Sequence, residues 1–475
     1  MPTGLLWFRR DLRLGDHPAL EEAAAEGDDV LPLFVLDPRL WDPAGPVRRA
    51  MLVRSLAALD EHLDGALVVR HGNPVTVVPA VAAEVGAHTV HVSQDGGPYG
   101  RTRDDAVAGA LESEGRRLIA RGSPYAVPPG TLRTASGTPY RVFTPFHRAW
   151  LAQLEHALPP TLGLSLPPTL GLSIPPASSD PVDSAPALRW RRGPASAALP
   201  EVPLPAELRL PEAGEAAALR RWRTFLADRL TDYQEQRDRP GKPGTSELSA
   251  CLKFGEIHPH RLLTELSQHP DRHGPGAAAF RAELCWREFH ADVLWHEPGT
   301  ARHAWRAQFD AMPVDDPGET LEAWQRGRTG FPLVDAGMRQ LLVEGWMHNR
   351  VRMVTASFLV KDLHLDWRLG ARWFLSRLRD GDLASNQLSW QWVAGCGTDA
   401  APYFRVFNPV TQGLRFDPTG DYVRQYVPEL THLPGAAAHR PWDHADGYRH
   451  GYPPRLVDHA AERAEALRRY ALIRG

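Results

Sequence analysis

The sequence predicts two domains of different class, an α/β amino-terminal domain with a parallel sheet and an all-α carboxyl-terminal domain. Three observations lead to this prediction. Short apolar runs alternate with helical patterns over residues 1–135, helical patterns alone fill residues 216–475, and a segment rich in Pro, Ala and Ser lies between them at 136–215. A chain of 475 residues is long enough for two or three domains.

The amino-terminal domain should alternate strands with helices. Strands are predicted at 5–8, 30–36, 66–69, 89–92 and 117–120, and helices at 18–25, 47–63, 75–85 and 103–114. This alternation favours a Rossmann-like parallel sheet with helices on both faces, whose ligands bind beyond the carboxyl ends of the strands. No G-x-G-x-x-G follows the first strand, so the sequence does not predict a dinucleotide fingerprint there.

The segment at 136–215 reads as an interdomain linker. It contains a duplicated octapeptide, LPPTLGLS, at 158–165 and again at 166–173. Paired prolines prevent a regular helix, so we predict a long connector and assign no function to the repeat.

Composition excludes several classes of protein. No apolar run approaches the twenty residues of a membrane span, and no signal peptide is recognisable. The 3 cysteines are scattered without metal-ligand spacing, which fits a reducing cytoplasm and predicts no metal site. A net charge of −3 means that any nucleic-acid surface must be a local patch.

The stretch at 380–392 concentrates polar and aromatic side chains where a structural helix would carry apolar ones. Asp382, Asn386 and Trp390 follow at i, i+4 and i+8, so a helix from residue 382 places them on one face. Trp392 lies about 200° round from Trp390 and should face a second partner. A capped helix with two core tryptophans is the alternative interpretation.

Two further helices carry an unusual face. In the helix predicted at 280–296, one face carries Glu283, Trp286, Arg287 and His290. A solvated face rarely places a tryptophan between Glu and Arg, so a binding face is favoured.

In the stretch at 346–353, Asn349, Arg352 and Met353 share one side, where Arg352 would need a carboxylate or phosphate if buried. Thr245, Ser246 and Ser249 follow a Gly/Pro loop and could either cap a helix or bind phosphate.

Taken together, the motifs at 7–13, 245–249, 283–289, 327–332, 346–350, 380–392 and 397–409 resemble the photolyase/cryptochrome family, most closely the class I cyclobutane pyrimidine dimer DNA photolyases. The resemblance covers nearly the whole chain outside the linker. It implies an antenna-chromophore domain at 1–135 and a helical FAD-binding catalytic domain at 216–475. The FAD contacts that it implies are Tyr233, Thr245, Ser246, Glu247, Leu248, Ser249, Phe280, Arg287, Asn349, Arg352, Asp380, Gly381, Asp382 and Asn386.

The resemblance also implies a substrate site for DNA that contains pyrimidine dimers. The catalytic residues would be Glu283, Trp286, Met353, Asn386 and Trp392, and the DNA contacts would be Arg237, Glu283, Trp286, Asn349, Arg350 and Gln412. The dimer would be flipped out of the duplex and split by an electron from excited reduced FAD, without a metal.

An antenna chromophore is implied beside Arg10, Asp37, Arg48 and Lys253, with 8-hydroxy-5-deazaflavin favoured over methenyltetrahydrofolate or an empty pocket. For photoreduction of the flavin, Trp390 and Trp367 match the first two tryptophans of the family's electron-transfer chain. The third position is Val314, so either Trp305 or Trp324 substitutes for the third tryptophan or the electron-transfer chain exits elsewhere.

Two positions bear on the subfamily. The (6-4) photolyases carry a histidine pair where this chain has Asn349 and the residues after it, and DASH cryptochromes typically have Tyr in place of Trp392. The alternative function is a blue-light-sensing cryptochrome that signals through a protein partner. Such sensors usually carry a long tail, whereas this sequence ends soon after the helix predicted at 457–472. We therefore expect a monomeric, cytoplasmic repair enzyme without a membrane segment.

Overall fold

The amino-terminal domain is built on a parallel sheet. The computed structural model describes residues 3–27, 29–157, 189–399 and 404–473. The strands are β1 (Thr3–Phe8), β2 (Asp29–Leu36), β3 (Val68–His71), β4 (Thr89–Val92), β5 (Arg117–Ala120) and β6 (Arg189–Trp190). The order is β3-β2-β1-β4-β5, with every pair parallel, and β6 pairs with the start of β2. The expected α/β class is confirmed.

Five helices cover or border this sheet: α1 (Pro18–Glu26), α2 (Pro38–Trp41), α3 (Pro46–His62), α4 (Pro74–Val85) and α5 (Pro98–Ser113). Each begins with proline, whose fixed φ and missing N–H suit the first helical position. The first predicted helix begins at Pro18 as observed, those predicted from 47 and 75 begin one residue earlier at proline, and the one expected from 103 begins at Pro98. Helix α2 was not predicted. Strands β1, β2 and β4 are buried between two apolar layers, one on each face of the sheet, whereas the edge strand β5 is partly exposed.

The remaining helices are α6 (Phe143–Ala157), α7 (Glu215–Asp228), α8 (Tyr233–Gln236), α9 (Ser249–Phe254), α10 (Pro259–Gln268), α11 (Pro275–His296), α12 (Gly318–Gln325), α13 (Pro332–Glu344), α14 (Asn349–Lys361), α15 (Trp367–Arg377), α16 (Leu383–Ala394), α17 (Pro409–Phe416), α18 (Asp421–Tyr426) and α19 (His459–Leu472). Short 3₁₀ helices lie at Pro298–Ala301, Ala307–Ala311, Pro428–Leu430, Gly435–His439 and Pro441–Asp443. Helix α16 packs against α11, α14 and α15, which places it at the centre of the helical domain.

Part of the predicted linker is built into the two domains. Helix α6 buries Phe146, Trp150 and Leu154 against the helical core, and β6 joins the sheet. The duplicated octapeptides at 158–173 lie outside the described residues. The domain limits at 135 and 215 stay a prediction.

Buried glutamates fasten the domains together. Glu256 accepts hydrogen bonds from Ser55 Oγ of α3 and from the Gly214 N–H, both at 2.7 Å. Glu288 of α11 accepts from the Ala126 and Val127 N–H groups at 2.5 and 2.9 Å. Because a buried carboxylate without partners is costly, these contacts fix how the helical domain meets the sheet domain. Over the described part of the chain, no helix is long and apolar enough to cross a membrane.

Candidate functional site

A cavity of about 380 Å³ lies inside the helical domain, and we call it the central cavity. Its wall comes from α11, α14, α16 and the segment that precedes α16. It gathers many of the predicted site residues: Arg237, Glu283, Trp286, Asn349, Arg350, Arg352, Met353, Asp380, Gly381, Asp382, Asn386, Trp390 and Trp392. The faces predicted on the three helices therefore converge on one space.

Helix α16 supplies one wall of the central cavity. Asp382 is its N-cap and accepts a hydrogen bond from the Ser385 N–H at 3.1 Å. The Asn386 amide group donates from Nδ2 to the Ala371 carbonyl at 3.1 Å and to Gln387 Oε1 at 2.9 Å. These two bonds fix the orientation of the Asn386 side chain at the cavity wall.

The two tryptophans of α16 both line the central cavity, which corrects the expectation that they face different partners. Trp390 lies edge-on to Phe374, with ring centroids 5.0 Å apart. Trp392 donates from Nε1 to the Asp399 carbonyl at 3.2 Å. Indole side chains are long enough to reach the same space from different sides of a helix, so the angular difference at the backbone did not separate them.

Arg352 has the anionic partner that its position requires. Its Nη2 lies 2.8 Å from Asp380 Oδ2, and its Nε donates to the Met347 carbonyl at 2.7 Å. Burial raises the pKa of Asp380, but the Arg352 charge and hydrogen bond outweigh it, and the net pKa lies below its usual value. The other oxygen, Asp380 Oδ1, is buried, and the nearby Ser249 hydroxyl also lowers the pKa of this carboxyl without a well-formed hydrogen bond to that oxygen. A ligand donor could satisfy it.

Two ion pairs stand at the mouth of the central cavity. Arg237 pairs with Glu283 at 2.6 Å, and Arg350 donates to both carboxylate oxygens of Asp238 at 3.3 and 2.8 Å. The side chains of these four residues are 20–34% exposed, so each pair contributes about 1 kcal/mol at most. Both arginines can therefore exchange their carboxylate for a phosphate at small cost.

The sequence reasoning overlooked the neighbours of Trp286. Phe143, at the start of α6, stacks on its indole with a centroid distance of 3.7 Å and an interplanar angle of 4°. His290 lines the same cavity, and burial lowers its pKa to about 4. Phe143 lay within the predicted linker, whereas His290 belonged to the predicted binding face and could have been chosen from its spacing.

Several residues expected to contact FAD lie outside the lining of the central cavity: Tyr233, Thr245, Ser246, Glu247, Leu248, Ser249, Phe280 and Arg287. Tyr233 and Phe280 pack in an aromatic cluster with Phe225. Arg287 donates to the carbonyls of Pro124 and Leu252. The Gln412 side chain of α17, expected at the DNA, also lies outside that lining and has a buried Oε1 that makes no hydrogen bond with the described residues.

A larger cavity of about 640 Å³, the sheet-edge cavity, lies where the sheet meets the helical domain. Its wall includes residues that follow β1, β2 and β4, so the cavity lies at the carboxyl ends of these strands. The strand order changes direction between β1 and β4, which is where ligands bind in such sheets. All four residues predicted for an antenna chromophore line it: Arg10, Asp37, Arg48 and Lys253. The strand topology brings Arg10 and Asp37 together, and Arg48 and Lys253 reach the cavity from helices α3 and α9.

The sheet-edge cavity carries strongly perturbed groups. Burial, with Arg10 nearby, lowers the pKa of Lys253 to about 7. Burial and a hydrogen bond to Asp37 raise the pKa of Tyr99 to about 12. Such shifts in a cavity are typical of ligand-binding sites.

Gly381 and Asp382 line both cavities and form their common wall. Arg10 reaches across from the sheet domain to Asp382 Oδ2 at 2.8 Å, with Lys253 4.0 Å from the same oxygen. Burial raises the pKa of Asp382, but Arg10 and Lys253 together hold it well below its usual range. One carboxylate thus caps the central helix and offsets part of the positive charge of the neighbouring cavity.

Comparison with known proteins identifies the family of this fold and these cavities. A deoxyribodipyrimidine photo-lyase from Escherichia coli strain K12 is 38% identical over 503 residues, which cover 100% of this chain and 99% of the relative. The family model described as DNA photolyase matches residues 4–163, and that described as the FAD binding domain of DNA photolyase matches residues 280–472. The chain belongs to the DNA photolyase family.

Solved photolyase structures share the whole fold. A bacterial class III photolyase from Agrobacterium tumefaciens is 37% identical, with a TM-score of 0.86 over 100% of this chain and 98% of that one. An archaeal photolyase from Sulfolobus tokodaii with two FAD molecules is 28% identical, with a TM-score of 0.80 over 99% and 100% of the two chains. The expected membership of the photolyase family and the fold of an α/β domain followed by a helical FAD-binding domain are confirmed. Family membership supports photorepair of DNA in general and FAD as the cofactor.

Proposed function

We propose that the protein repairs cyclobutane pyrimidine dimers in DNA under blue light, as a class I photolyase, with FAD in the central cavity. The observation that carries this proposal is the convergence of Glu283, Trp286, Met353, Asn386 and Trp392, from three helices, on one cavity of the FAD-binding domain. Two flat aromatic walls, a carboxylate and an amide suit a pair of stacked bases beside a flavin.

The central cavity fits a flavin in its chemistry. Met353, Phe374, Leu378 and Val393 offer apolar surface for ring faces, and the opposite wall offers polar side chains to a ring edge. The buried Asp380 Oδ1, which has no well-formed hydrogen bond, suits a ring N–H or a sugar hydroxyl. Residues that would hold the cofactor are Asn349, Arg352, Asp380, Asp382 and Asn386. Bound reduced FAD supplies an electron under blue light and takes it back after the dimer splits.

The protein residues bind and orient the dimer. Trp286 is supported from behind by Phe143, so its indole is a rigid platform for a flipped base. Glu283 would accept a hydrogen bond from a base edge while Arg237 keeps its carboxylate oriented. Trp392, fixed by its bond to the Asp399 carbonyl, would close the other side.

Duplex DNA would lie over the mouth of the central cavity. Arg237, Asn349, Arg350 and Gln412 would contact its backbone, with Arg350 moving from Asp238 to a phosphate while Arg237 keeps its bond to Glu283. Phosphate contacts position the duplex without reading its sequence, so binding should weaken strongly with salt.

The sheet-edge cavity would hold a second chromophore, for which we propose 8-hydroxy-5-deazaflavin at Arg10, Asp37, Arg48 and Lys253. The excess of basic side chains supports an anionic ligand. Methenyltetrahydrofolate and a second FAD serve as comparison ligands in a binding titration, because the Sulfolobus tokodaii relative contains two FAD molecules. We further propose that the enzyme is monomeric and cytoplasmic.

Photoreduction of oxidised flavin would begin at Trp390, with Trp367 next. Trp324 lies edge-on to Trp390 at 6.2 Å and is fully buried, whereas Val314 is 54% exposed. Trp390→Phe should block photoreduction and spare repair once the flavin is chemically reduced. Absorption spectra under illumination measure the first and dimer repair the second; equal photoreduction in variant and wild type would refute the role of Trp390.

The deciding experiment is repair of a defined thymine dimer in duplex DNA by flavin-loaded, chemically reduced protein. Blue-light and dark samples are compared at one fixed salt concentration. Light-dependent return of intact thymines supports the proposal. Flavin binding without repair would instead favour the sensor function, in which the same fold signals through a protein partner.

A further inference from the structure

The wall between the central and sheet-edge cavities is thin at Gly381 and Asp382, which line both spaces. Arg48 rests on the backbone of this wall, with its Nη1 3.4 Å from the Gly381 carbonyl oxygen. Asp382 divides its two oxygens between the domains. Its Oδ1 accepts the hydrogen bond of the Ser385 N–H that caps α16, whereas its Oδ2 faces the cations of the sheet-edge cavity. The charge of this one carboxylate therefore acts on both cavities.

Arg10 and Lys253 are held by Asp382 but retain bonding capacity. Arg10 Nη2 donates to Asp382 Oδ2 at 2.8 Å, whereas the buried Arg10 Nε makes no well-formed hydrogen bond among the described residues, although Tyr125 lies beside the guanidinium. Lys253 Nζ stands 4.0 Å from the same oxygen, beyond hydrogen-bonding distance. A buried donor without an acceptor is costly, so both side chains favour an acceptor that enters the sheet-edge cavity.

An anionic ligand in the sheet-edge cavity would compete with Asp382 for these two cations. When Arg10 and Lys253 turn to the ligand, Asp382 keeps its negative charge but loses its two strongest attractions, and the weaker one of Arg287 on α11 remains. The electrostatic potential in the central cavity then becomes more negative. A reduced flavin ring carries more negative charge than an oxidised one, so this change disfavours reduced FAD relative to oxidised FAD.

We propose that the sheet-edge cavity has a further function: its anionic ligand lowers the reduction potential of FAD in the central cavity, through the carboxylate of Asp382 that Arg10 and Lys253 share. The inference rests on the proposed binding of FAD and of an anionic chromophore. A coupling free energy between two sites is reciprocal, so the redox state of FAD changes the affinity for the chromophore by the same factor. A lower potential makes bound reduced FAD a stronger electron donor to the dimer.

The test measures the midpoint potential of FAD in the full chain by anaerobic titration, with and without saturating 8-hydroxy-5-deazaflavin as the probe. Samples are kept in the dark at about pH 6.5, below the pKa of about 7 that burial gives Lys253, so that this lysine carries its charge. The probe should lower the ratio of reduced to oxidised FAD affinity about tenfold, which for a two-electron couple is about 30 mV. Conversely, the dissociation constant of the probe should rise about tenfold when FAD is reduced.

Two variants test the residues that carry the coupling. Lys253→Met removes one cation beside Asp382, so it should lower the reduced-to-oxidised affinity ratio about threefold in protein without the probe. Lys361→Met is the matched control and should leave the potential unchanged, because Lys361 is also buried with a pKa of about 7 but lies outside the lining of both cavities. Asp382→Asn has no carboxylate whose charge the probe can expose, so the effect of the probe should fall to within about twofold.

Equal FAD potentials with and without bound probe in the wild type would overturn the inference while the repair function stands. A shift in Lys361→Met as large as that in Lys253→Met would do the same. If the probe does not bind, the comparison of Lys253→Met with the wild type decides: an unchanged potential overturns the inference, and a lowered one supports it. A wild-type protein that binds no FAD, or that binds FAD without repairing a thymine dimer under light, would overturn the proposed function itself.

Discussion

The central and sheet-edge cavities share a wall at Gly381 and Asp382, yet their charges are arranged differently. Each of the three ion pairs around the central cavity joins one arginine to its own carboxylate. In the sheet-edge cavity Arg10, Arg48 and Lys253 converge on Asp382, with Asp95 nearby. The first arrangement suits a ligand recognised by stacking and shape, and the second retains positive charge for an anionic ligand.

The largest expected effect is a loss of folding stability at Asp382, in the wall that the two cavities share. Asp382→Asn keeps an N-cap side chain on α16 but leaves Arg10 and Lys253 without their shared carboxylate. Removing one partner of a buried ion pair costs about 3 kcal/mol or more. Urea unfolding of the flavin-loaded protein at pH 7 measures the loss.

The pH dependence of Asp382→Asn supplies a second check. Because the folded pKa of Asp382 is depressed, its stabilisation is present above the unfolded value of about 4 and is lost as the pH falls below it. The difference between variant and wild type should therefore shrink at acid pH. Asp366→Asn, at the more exposed N-cap of α15, is the control and should cost under about 0.5 kcal/mol. Equal losses of unfolding free energy in Asp382→Asn and Asp366→Asn would contradict a special role for Asp382 in the wall between the cavities.

Trp392→Ala tests the aromatic wall of the central cavity. Stacking of a base on an aromatic ring is worth about 1–3 kcal/mol, so affinity for dimer DNA should fall about thirtyfold, with undamaged DNA little affected. Trp392→Phe should recover most of the loss. Fluorescence anisotropy with both duplexes gives the ratio; a parallel loss for undamaged DNA would show that the ring does not contact a flipped base.

The two cavities also differ in how far sequence could predict them. The central cavity is built on helices, where spacing alone placed Asn386 and Trp390 on one face. Arg10 and Asp37 are distant in sequence and meet because parallel strands end at one edge, which the strand pattern predicted. Lys253 joins them from α9 of the helical domain, and only the family resemblance implied its place there. Phe143 was missed because its role depends on one ring stack between distant segments. Such contacts leave no local periodicity.

The charge surplus in the sheet-edge cavity predicts pH-dependent chromophore binding. Lys253 is protonated below its pKa of about 7, so affinity for 8-hydroxy-5-deazaflavin should fall about fivefold between pH 6 and pH 8 as one ion pair is lost. Lys253→Met should remove this step. Lys361→Met is the matched control, because Lys361 is also buried with a pKa of about 7 but lies outside the lining of the cavity. A step that survives in Lys253→Met would assign the titration to another group.

The smallest effect is expected at the mouth of the central cavity, where Arg350 would exchange Asp238 for a DNA phosphate. Breaking the existing pair offsets much of the gain, so Arg350→Gln should weaken binding of both duplexes only about twofold. The loss of one phosphate contact should still lower the slope of log affinity against log salt by about 1. Arg326→Gln removes a comparable but exposed pair on α12 and should leave that slope unchanged. An unchanged slope in Arg350→Gln would mean that the Arg350–Asp238 pair is only structural. Other basic residues would then make the phosphate contacts.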